Sequence, residues 1–212
     1  TIGYMPELTE LQNPKNKNAT EIYSSDNQLI GRYFYSSDNR VPVDFSELSP
    51  NLVNALLATE DERYYEHSGV DGRALLRSII VRGILRRKSG GGGSTITQQL
   101  AKQCYTEQVA SNSLQRALQK PIEWVIAVQL ERYYTKKEIV AMYFNKFDFV
   151  NNAVGIKSAS SVYFNTSPDK LSVEQAATLV GMCQNPAYYN PVRFNERTKE
   201  RRNVVLSQME RA

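Results

Sequence analysis

The sequence predicts a mainly α-helical protein with one short β hairpin near its N-terminal end. Three observations predict it. Apolar residues recur at helical spacing almost without a break beyond residue 48. Helix-start signals recur at Ser49-Pro50, Thr95…Gln98, Thr135…Glu138 and Ser172…Gln175. Strand-like runs flank a turn only once, in the stretch 21–35 around Ser25-Asp26-Asn27. A chain of 212 residues with 41% hydrophobic content has enough apolar mass for one core plus a small appendage. The expected division is a linker and hairpin region over 1–45 and a helical domain over 46–212.

Each element follows from local chemistry. Residues 1–20 are polar and rich in Pro and Asn, and read as a linker. Ser49 caps a helix that has Pro50 at its first position and Leu52, Leu56 and Leu57 on one face, with Glu60 near its end. Residues 71–87 place Leu75, Leu76, Ile79, Ile80 and Ile84 on one side, with arginines around the others. A glycine-rich loop over 89–93 leads into a helix through Leu100 and Cys104. Pro121 is expected to begin the next helix, with Ile122, Val125, Ile126 and Leu130 inward. Pro186 and Pro191 interrupt the chain before a last helix at 195–211.

Composition excludes several chemistries. The formal charge of +4 is too mild to argue for nucleic acid, but Arg73, Arg77, Arg82, Arg86, Arg87 and Lys88 crowd one stretch, so any electrostatic attraction is local. One histidine, His67, rules out a histidine-rich zinc site. Cys104 and Cys183 lie far apart in helical apolar patterns and read as buried free thiols. Reactive chemistry is therefore expected on carboxylates, with Lys and Arg as electrophilic helpers. No apolar run reaches transmembrane length and no leader pattern opens the chain. Both ends have the look of cuts from a longer protein.

Three segments carry candidate chemistry. Glu60-Asp61-Glu62-Arg63-Tyr64-Tyr65-Glu66-His67-Ser68-Gly69 gathers acids, a base and aromatics at a helix end. It reads either as a solvated terminus or as a carboxylate pair whose repulsion tunes one member for base catalysis. Gly90 to Gly93 before Ser94-Thr95-Ile96-Thr97-Gln98-Gln99-Leu100-Ala101-Lys102 reads either as a flexible linker or as a phosphate seat at a helix N-terminus. It is not a nucleotide P-loop, since no Gly-Lys-Ser/Thr follows at the needed spacing. In the third segment, from Glu131 to Asn145, spacing alone favours Glu138 as the closing arm of a capping box over a catalytic group.

Taken in order, these segments resemble the glycosyltransferase domain of class A penicillin-binding proteins, glycosyltransferase family 51. The residues that carry the likeness are Glu60-Asp61-x-x-Tyr64-x-x-His67-x-Gly69, then Gly92-Gly93-Ser94-Thr95-Ile96-Thr97-Gln98-Gln99-Leu100-Ala101-Lys102, then Lys136-x-Glu138-Ile139-x-x-x-Tyr143-x-Asn145. Leu171-Ser172-x-Glu174-x-Ala176-Ala177 with Asn190-Pro191, and Arg201-Arg202-Asn203-x-Val205-Leu206-x-x-Met209, match the later blocks. The chain departs from the family pattern at Val150 and Asn165, where glycine is usual, at Lys157, and in an arginine-rich stretch before Lys120 that is one residue short.

The resemblance implies a lysozyme-like helical lobe with a smaller membrane-facing jaw at about 71–89. It also implies polymerisation of lipid II into glycan strands with inversion at the muramic acid C1 and release of undecaprenyl pyrophosphate. It assigns Glu60 as general base and Glu138 as the second carboxylate, its role open. Substrate binding is expected from Asp61, Arg63, Arg77, Ser94, Thr95, Gln98, Gln99, Lys102 and Asn145. A divalent cation, Mg2+ or Mn2+, fits between pyrophosphate and carboxylate, although no dedicated cage is written in the sequence and no organic cofactor is implied. The implied partners are lipid II, the growing strand, the membrane surface, moenomycin-type inhibitors and a C-terminal transpeptidase domain. The implied location is the extracytoplasmic face of the bacterial cytoplasmic membrane, held there by an N-terminal helix. Two other classes stay open on residues alone: a lysozyme-like glycan hydrolase and a non-catalytic glycan-binding domain.

Overall fold

The structure, a computed structural model, describes residues 20–26, 28–33, 41–79, 93–105 and 113–212. Its secondary structure is mainly helical with one two-stranded sheet near the N-terminal end. Strands β1 (Thr20–Tyr23) and β2 (Leu29–Tyr33) pair antiparallel, with Thr20 opposite Tyr33 and an irregularity between Ile22 and Tyr23. The turn is closed by Ser24, whose main-chain N–H donates to the Gln28 carbonyl and whose hydroxyl accepts from the Gln28 N–H. The linker over 1–19 and the basic positions Arg82, Arg86, Arg87 and Lys88 of the expected jaw lie outside the described residues, as do Gly90 to Gly92.

Eight α-helices follow among the described residues: α1 (Pro50–Glu60), α2 (Gly72–Ile79), α3 (Ile96–Tyr105), α4 (Ser113–Tyr133), α5 (Lys136–Lys146), α6 (Ile156–Phe164), α7 (Val173–Cys183) and α8 (Asn195–Arg211). Their starts follow the capping logic of the sequence. Ser49 Oγ accepts from the Leu52 N–H at 3.1 Å to open α1, with Pro50 at the first position where its missing N–H is harmless. At α5 the capping box is reciprocal, Thr135 N–H donating to Glu138 Oε2 and Glu138 N–H to Thr135 Oγ1. Ser172 and Gln175 do the same for α7. One expectation fails: α4 does not begin at Pro121 but eight residues earlier, at Ser113, and runs through the proline. No described helix is long and apolar enough to cross a membrane.

The chain separates into two compact units. The first comprises, among the described residues, 60–79, 93–105 and 113–143; its core is built on Tyr64, Leu100, Ile126, Leu130, Ile139 and Tyr143, all fully buried. Helices α3 and α4 pack against each other within it. The second comprises, among the described residues, 20–26, 28–33, 41–59 and 144–212, with Leu52, Leu56, Phe144, Phe149, Ile156, Leu179 and Met182 fully buried and α7 packed on α8. Cys104 and Cys183, each in the last turn of its helix, are half-buried, which corrects the expectation of buried cysteines.

Candidate active site

Glu60 is the last residue of α1, half-buried, and belongs to the first unit. Its Oε2 accepts a 2.7 Å hydrogen bond from Gln99 Nε2, on the first turns of α3. Gln99 Oε1 in turn accepts from the Tyr143 hydroxyl on α5 at 3.2 Å. The side chain of Glu60 is thus fixed by a line of donors reaching back to a fully buried phenol.

Asp61, next in sequence, takes a different path. Its carboxylate is buried, lies 3.0 Å from His67 Nε2 through both oxygens, and accepts from the Ile96 N–H at 3.2 Å. A carboxylate only accepts, so Nε2 carries the imidazole proton, while Nδ1 is buried without a partner. Ile96 opens α3, which places the Asp61 charge where the helix dipole favours an anion. Of the two readings open for this acidic cluster, neither a solvated terminus nor a simple repelling pair describes it: Asp61 is clipped to a helix start and Glu60 is held by an amide.

The approach to α3 is pinned from several sides. Thr95 is buried; its Oγ1 donates to the Gly69 carbonyl at 2.6 Å and accepts from the Gln98 N–H at 3.1 Å. Gly69 has φ +88°, and a Cβ there would stand 2.7 Å from the Ala127 main chain, so α4 passes too close for any side chain. The open N–H groups expected at this helix start are therefore partly taken, that of Ile96 by Asp61 and that of Gln98 by Thr95. Ser94 Oγ accepts from Lys120 Nζ at 3.0 Å, and the same ammonium lies 2.7 Å from the buried Glu123.

Beneath these groups runs a part-buried polar brace. Thr97 Oγ1 donates to Glu131 Oε1 at 2.6 Å, and Lys136 Nζ reaches Glu131 at 2.8 Å, the His67 carbonyl at 2.7 Å and the Tyr64 ring at 4.2 Å. The Tyr64 hydroxyl donates to the Lys136 carbonyl at 2.9 Å. Burial first, and then the Glu131 charge, push the Tyr64 phenol far above its ordinary value, so it stays a neutral donor.

The remaining expected residues sit apart from this cluster. Gln98 is buried on α3, and Lys102 is exposed one turn after Gln99 on the same face. Arg77 is exposed on α2. Arg63 holds its own loop through Glu66 at 2.9 Å and Asp71 at 3.5 Å. Glu138 is exposed, and the Thr135 main-chain N–H and hydroxyl hold its carboxyl below the usual glutamate value. Asn145 belongs to the second unit, where its amide donates to the Val43 carbonyl at 2.9 Å and accepts from the Val43 N–H at 3.0 Å. Sequence reasoning gave no role to Tyr143, Lys120 or Thr97. Lys120 and Glu123 did carry a signal, an opposite-charge pair at i, i+3. Tyr143 was visible only as a letter of the third family block, and nothing local pointed to its contact, because its partner lies 44 positions away.

Known proteins match along nearly the whole chain. The Transglycosylase family matches residues 26–210. Penicillin-binding protein 1A of Escherichia coli is 35% identical over 206 residues, 97% of this chain and 23% of that protein. Penicillin-binding protein 2a of Streptococcus pneumoniae is 36% identical over 98% of this chain and 27% of its own length. Penicillin-binding protein 1A/1B of Bacillus subtilis is 37% identical over 99% of this chain and 22% of its own. The chain thus spans about a quarter of the length of these curated relatives. With the match running from the hairpin to the last helix, the chain belongs to the transglycosylase family, the peptidoglycan glycosyltransferases of glycosyltransferase family 51.

Proposed function

We propose that this chain polymerises lipid II into peptidoglycan glycan strands, with Glu60 as the general base. The observation that carries the reading is the setting of Glu60: a half-buried carboxylate at a helix end, one oxygen held at 2.7 Å by Gln99 from the motif that resembles the family's second block. Held this way, the carboxylate accepts the proton of the acceptor sugar's 4-hydroxyl. The resulting oxygen attacks C1 of the donor sugar, the C1–O bond to pyrophosphate breaks, and the centre inverts. Base catalysis of this kind contributes about 10²–10⁴-fold.

The leaving pyrophosphate carries spread negative charge and is served by cations already in place. Lys102 and Arg77 are exposed for that purpose in this reading, with Ser94 framing the donor and Lys120 added by its bond to Ser94, while Thr95 and Gln98 hold the start of α3 from within and Gln99 holds the base. Asp61 and Arg63 fix the loop that follows Glu60. Glu138 and Asn145 are assigned to holding the two ends of α5, through Thr135 and Val43. A divalent cation, Mg2+ or Mn2+, would arrive on the substrate's pyrophosphate. Among the described residues no three His, Cys, Asp or Glu side chains gather as a cage, and Asp61 and Glu138 already accept from main-chain N–H groups. In the same reading the domain works at the extracytoplasmic membrane surface. Its parent is a longer, anchored protein with a transpeptidase domain, open to moenomycin-type inhibitors.

The test is polymerisation of labelled lipid II in detergent by this chain and its Glu60→Gln variant. Long glycan bands from the parent and a loss of at least about a hundredfold in the variant are expected. Polymer from both chains would remove Glu60 from the base role, and cleavage of preformed glycan without polymerisation would replace the reading with a hydrolase.

A further inference from the structure

Resting on the polymerase reading, we infer that Tyr143 is a positioning residue for the base: its buried hydroxyl fixes the orientation of the Gln99 amide, and the amide fixes the carboxylate of Glu60. The three groups form one line, Tyr143 Oη to Gln99 Oε1 at 3.2 Å and Gln99 Nε2 to Glu60 Oε2 at 2.7 Å. All three lie within the first unit, on α5, α3 and the end of α1.

The chemistry of each group decides the direction of the line. A carboxylate only accepts, so the amide must present Nε2 to Glu60; turned over, Oε1 would face a negative oxygen. An amide with Nε2 forward points its oxygen backward, and that oxygen needs a donor. Tyr143 supplies it from a side chain with no solvent exposure, where a lost partner is not replaced by bulk water. The bond onto Glu60 is charge-assisted and short, so it sets the carboxylate plane as well as its place. With Oε2 held, Oε1 is the oxygen turned to the acceptor hydroxyl. Nothing in this line touches substrate at Tyr143, so the effect is on the chemical step rather than on binding.

Three variants test it in the intact chain: Tyr143→Phe, which keeps the buried ring; Gln99→Met, which keeps the volume; and the two combined. Two readouts are taken: kcat and KM for lipid II, and the side-chain amide NMR signals of Gln99. Tyr143→Phe is expected to lower kcat about tenfold while KM stays within about twofold, the pattern of a group that matters only in the transition state. The combined variant is expected to be no slower than Gln99→Met alone, because the hydroxyl acts only through the amide. In the parent the two Nε2 protons should resonate well apart, and in Tyr143→Phe they should move to the values of an unrestrained amide. Unmoved amide signals in Tyr143→Phe, or losses that multiply in the combined variant, overturn the proposal. A parent chain that makes no polymer, or a Glu60→Gln variant as active as the parent, sinks the polymerase reading instead. The amide signals then still decide whether Tyr143 sets Gln99.

Discussion

At the scale of single residues, the loop after α5 shows what a departure from family pattern costs. Val150, Asn151 and Asn152 all have positive φ, at 57°, 50° and 60°. Asparagine tolerates this region, but a β-branched valine crowds its own carbonyl there, at about 1–2 kcal/mol. The neighbours impose the conformation. Asp148 Oδ1 accepts from the Val150 N–H at 2.8 Å, the Val150 carbonyl accepts from Ala153 at 2.9 Å, and the Tyr163 hydroxyl donates to the Phe149 carbonyl at 2.6 Å. Asn165, the other position where the family favours glycine, ends α6 in the left-handed region at φ 49°. Val150→Gly is therefore expected to raise the free energy of unfolding by about 1 kcal/mol, net of the freedom glycine adds to the unfolded chain. Asn165→Gly should change it by only a few tenths, since asparagine already suits a helix end. Urea denaturation of both variants checks this, and a Val150→Gly variant less stable than the parent would mean that the half-buried valine side chain outweighs its strain. Both departures were visible as letters; that they fall on left-handed backbone was not, because φ is set by partners elsewhere in the fold.

At the scale of elements, α4 is the informative case. Sequence rules start a helix at Pro121, yet α4 begins at Ser113 and carries the proline inside. Proline at an interior position has no N–H to give to the carbonyl four residues earlier, and its ring crowds that carbonyl. The turns before it are written in good helix formers, Leu114, Gln115, Arg116, Ala117, Leu118, Gln119 and Lys120, and these continue the helix across the defect. Pro121 is itself exposed, so its removal opens no cavity. Pro121→Ala is expected to raise stability by about 1–2 kcal/mol, the restored hydrogen bond exceeding the lost restriction of the unfolded chain. Thermal and urea unfolding measure it. A loss of stability would show that the proline's break in the hydrogen-bond ladder serves the neighbouring Lys120–Ser94 contact, and the activity of the variant would then fall as well.

At the scale of the whole molecule, the helical class, the hairpin, the caps at Ser49, Thr135 and Ser172 and the position of Glu60 at a helix end were legible, because each rests on spacing within a few residues. The Gln99–Glu60 bond, the Asp61 clip onto α3 and the Thr97–Glu131 bond were not, because they join residues 34 to 39 positions apart. The same long-range burial shapes the response of the protein to pH. Burial is the first cause that raises the phenols of Tyr64, Tyr134 and Tyr163 above their ordinary value near 10. A folded state that holds these protons more tightly than the unfolded chain is fully stabilised below the ordinary tyrosine value and loses that contribution as pH rises through the folded ones. The carboxylates run the other way. Asp26 is lowered by Ser24, Glu138 by the Thr135 main chain, Asp169 by Ser167 and Glu174 by its own main-chain N–H. Their contribution is present above the ordinary carboxylate range and fades as pH falls through the lowered values. All four are surface groups in high dielectric, so that loss is small. Stability should therefore fall more steeply on the alkaline side than on the acid side when the urea midpoint is followed from about pH 4 to about pH 11. Tyr64→Phe removes the most buried of the three phenols, and with it the donor to the Lys136 carbonyl. That variant should be less stable than the parent at neutral pH yet lose less on going alkaline. Parallel alkaline limbs for the two proteins would show that the Tyr64 proton is not what the fold gives up there, and would shift the cause to Tyr134 and Tyr163.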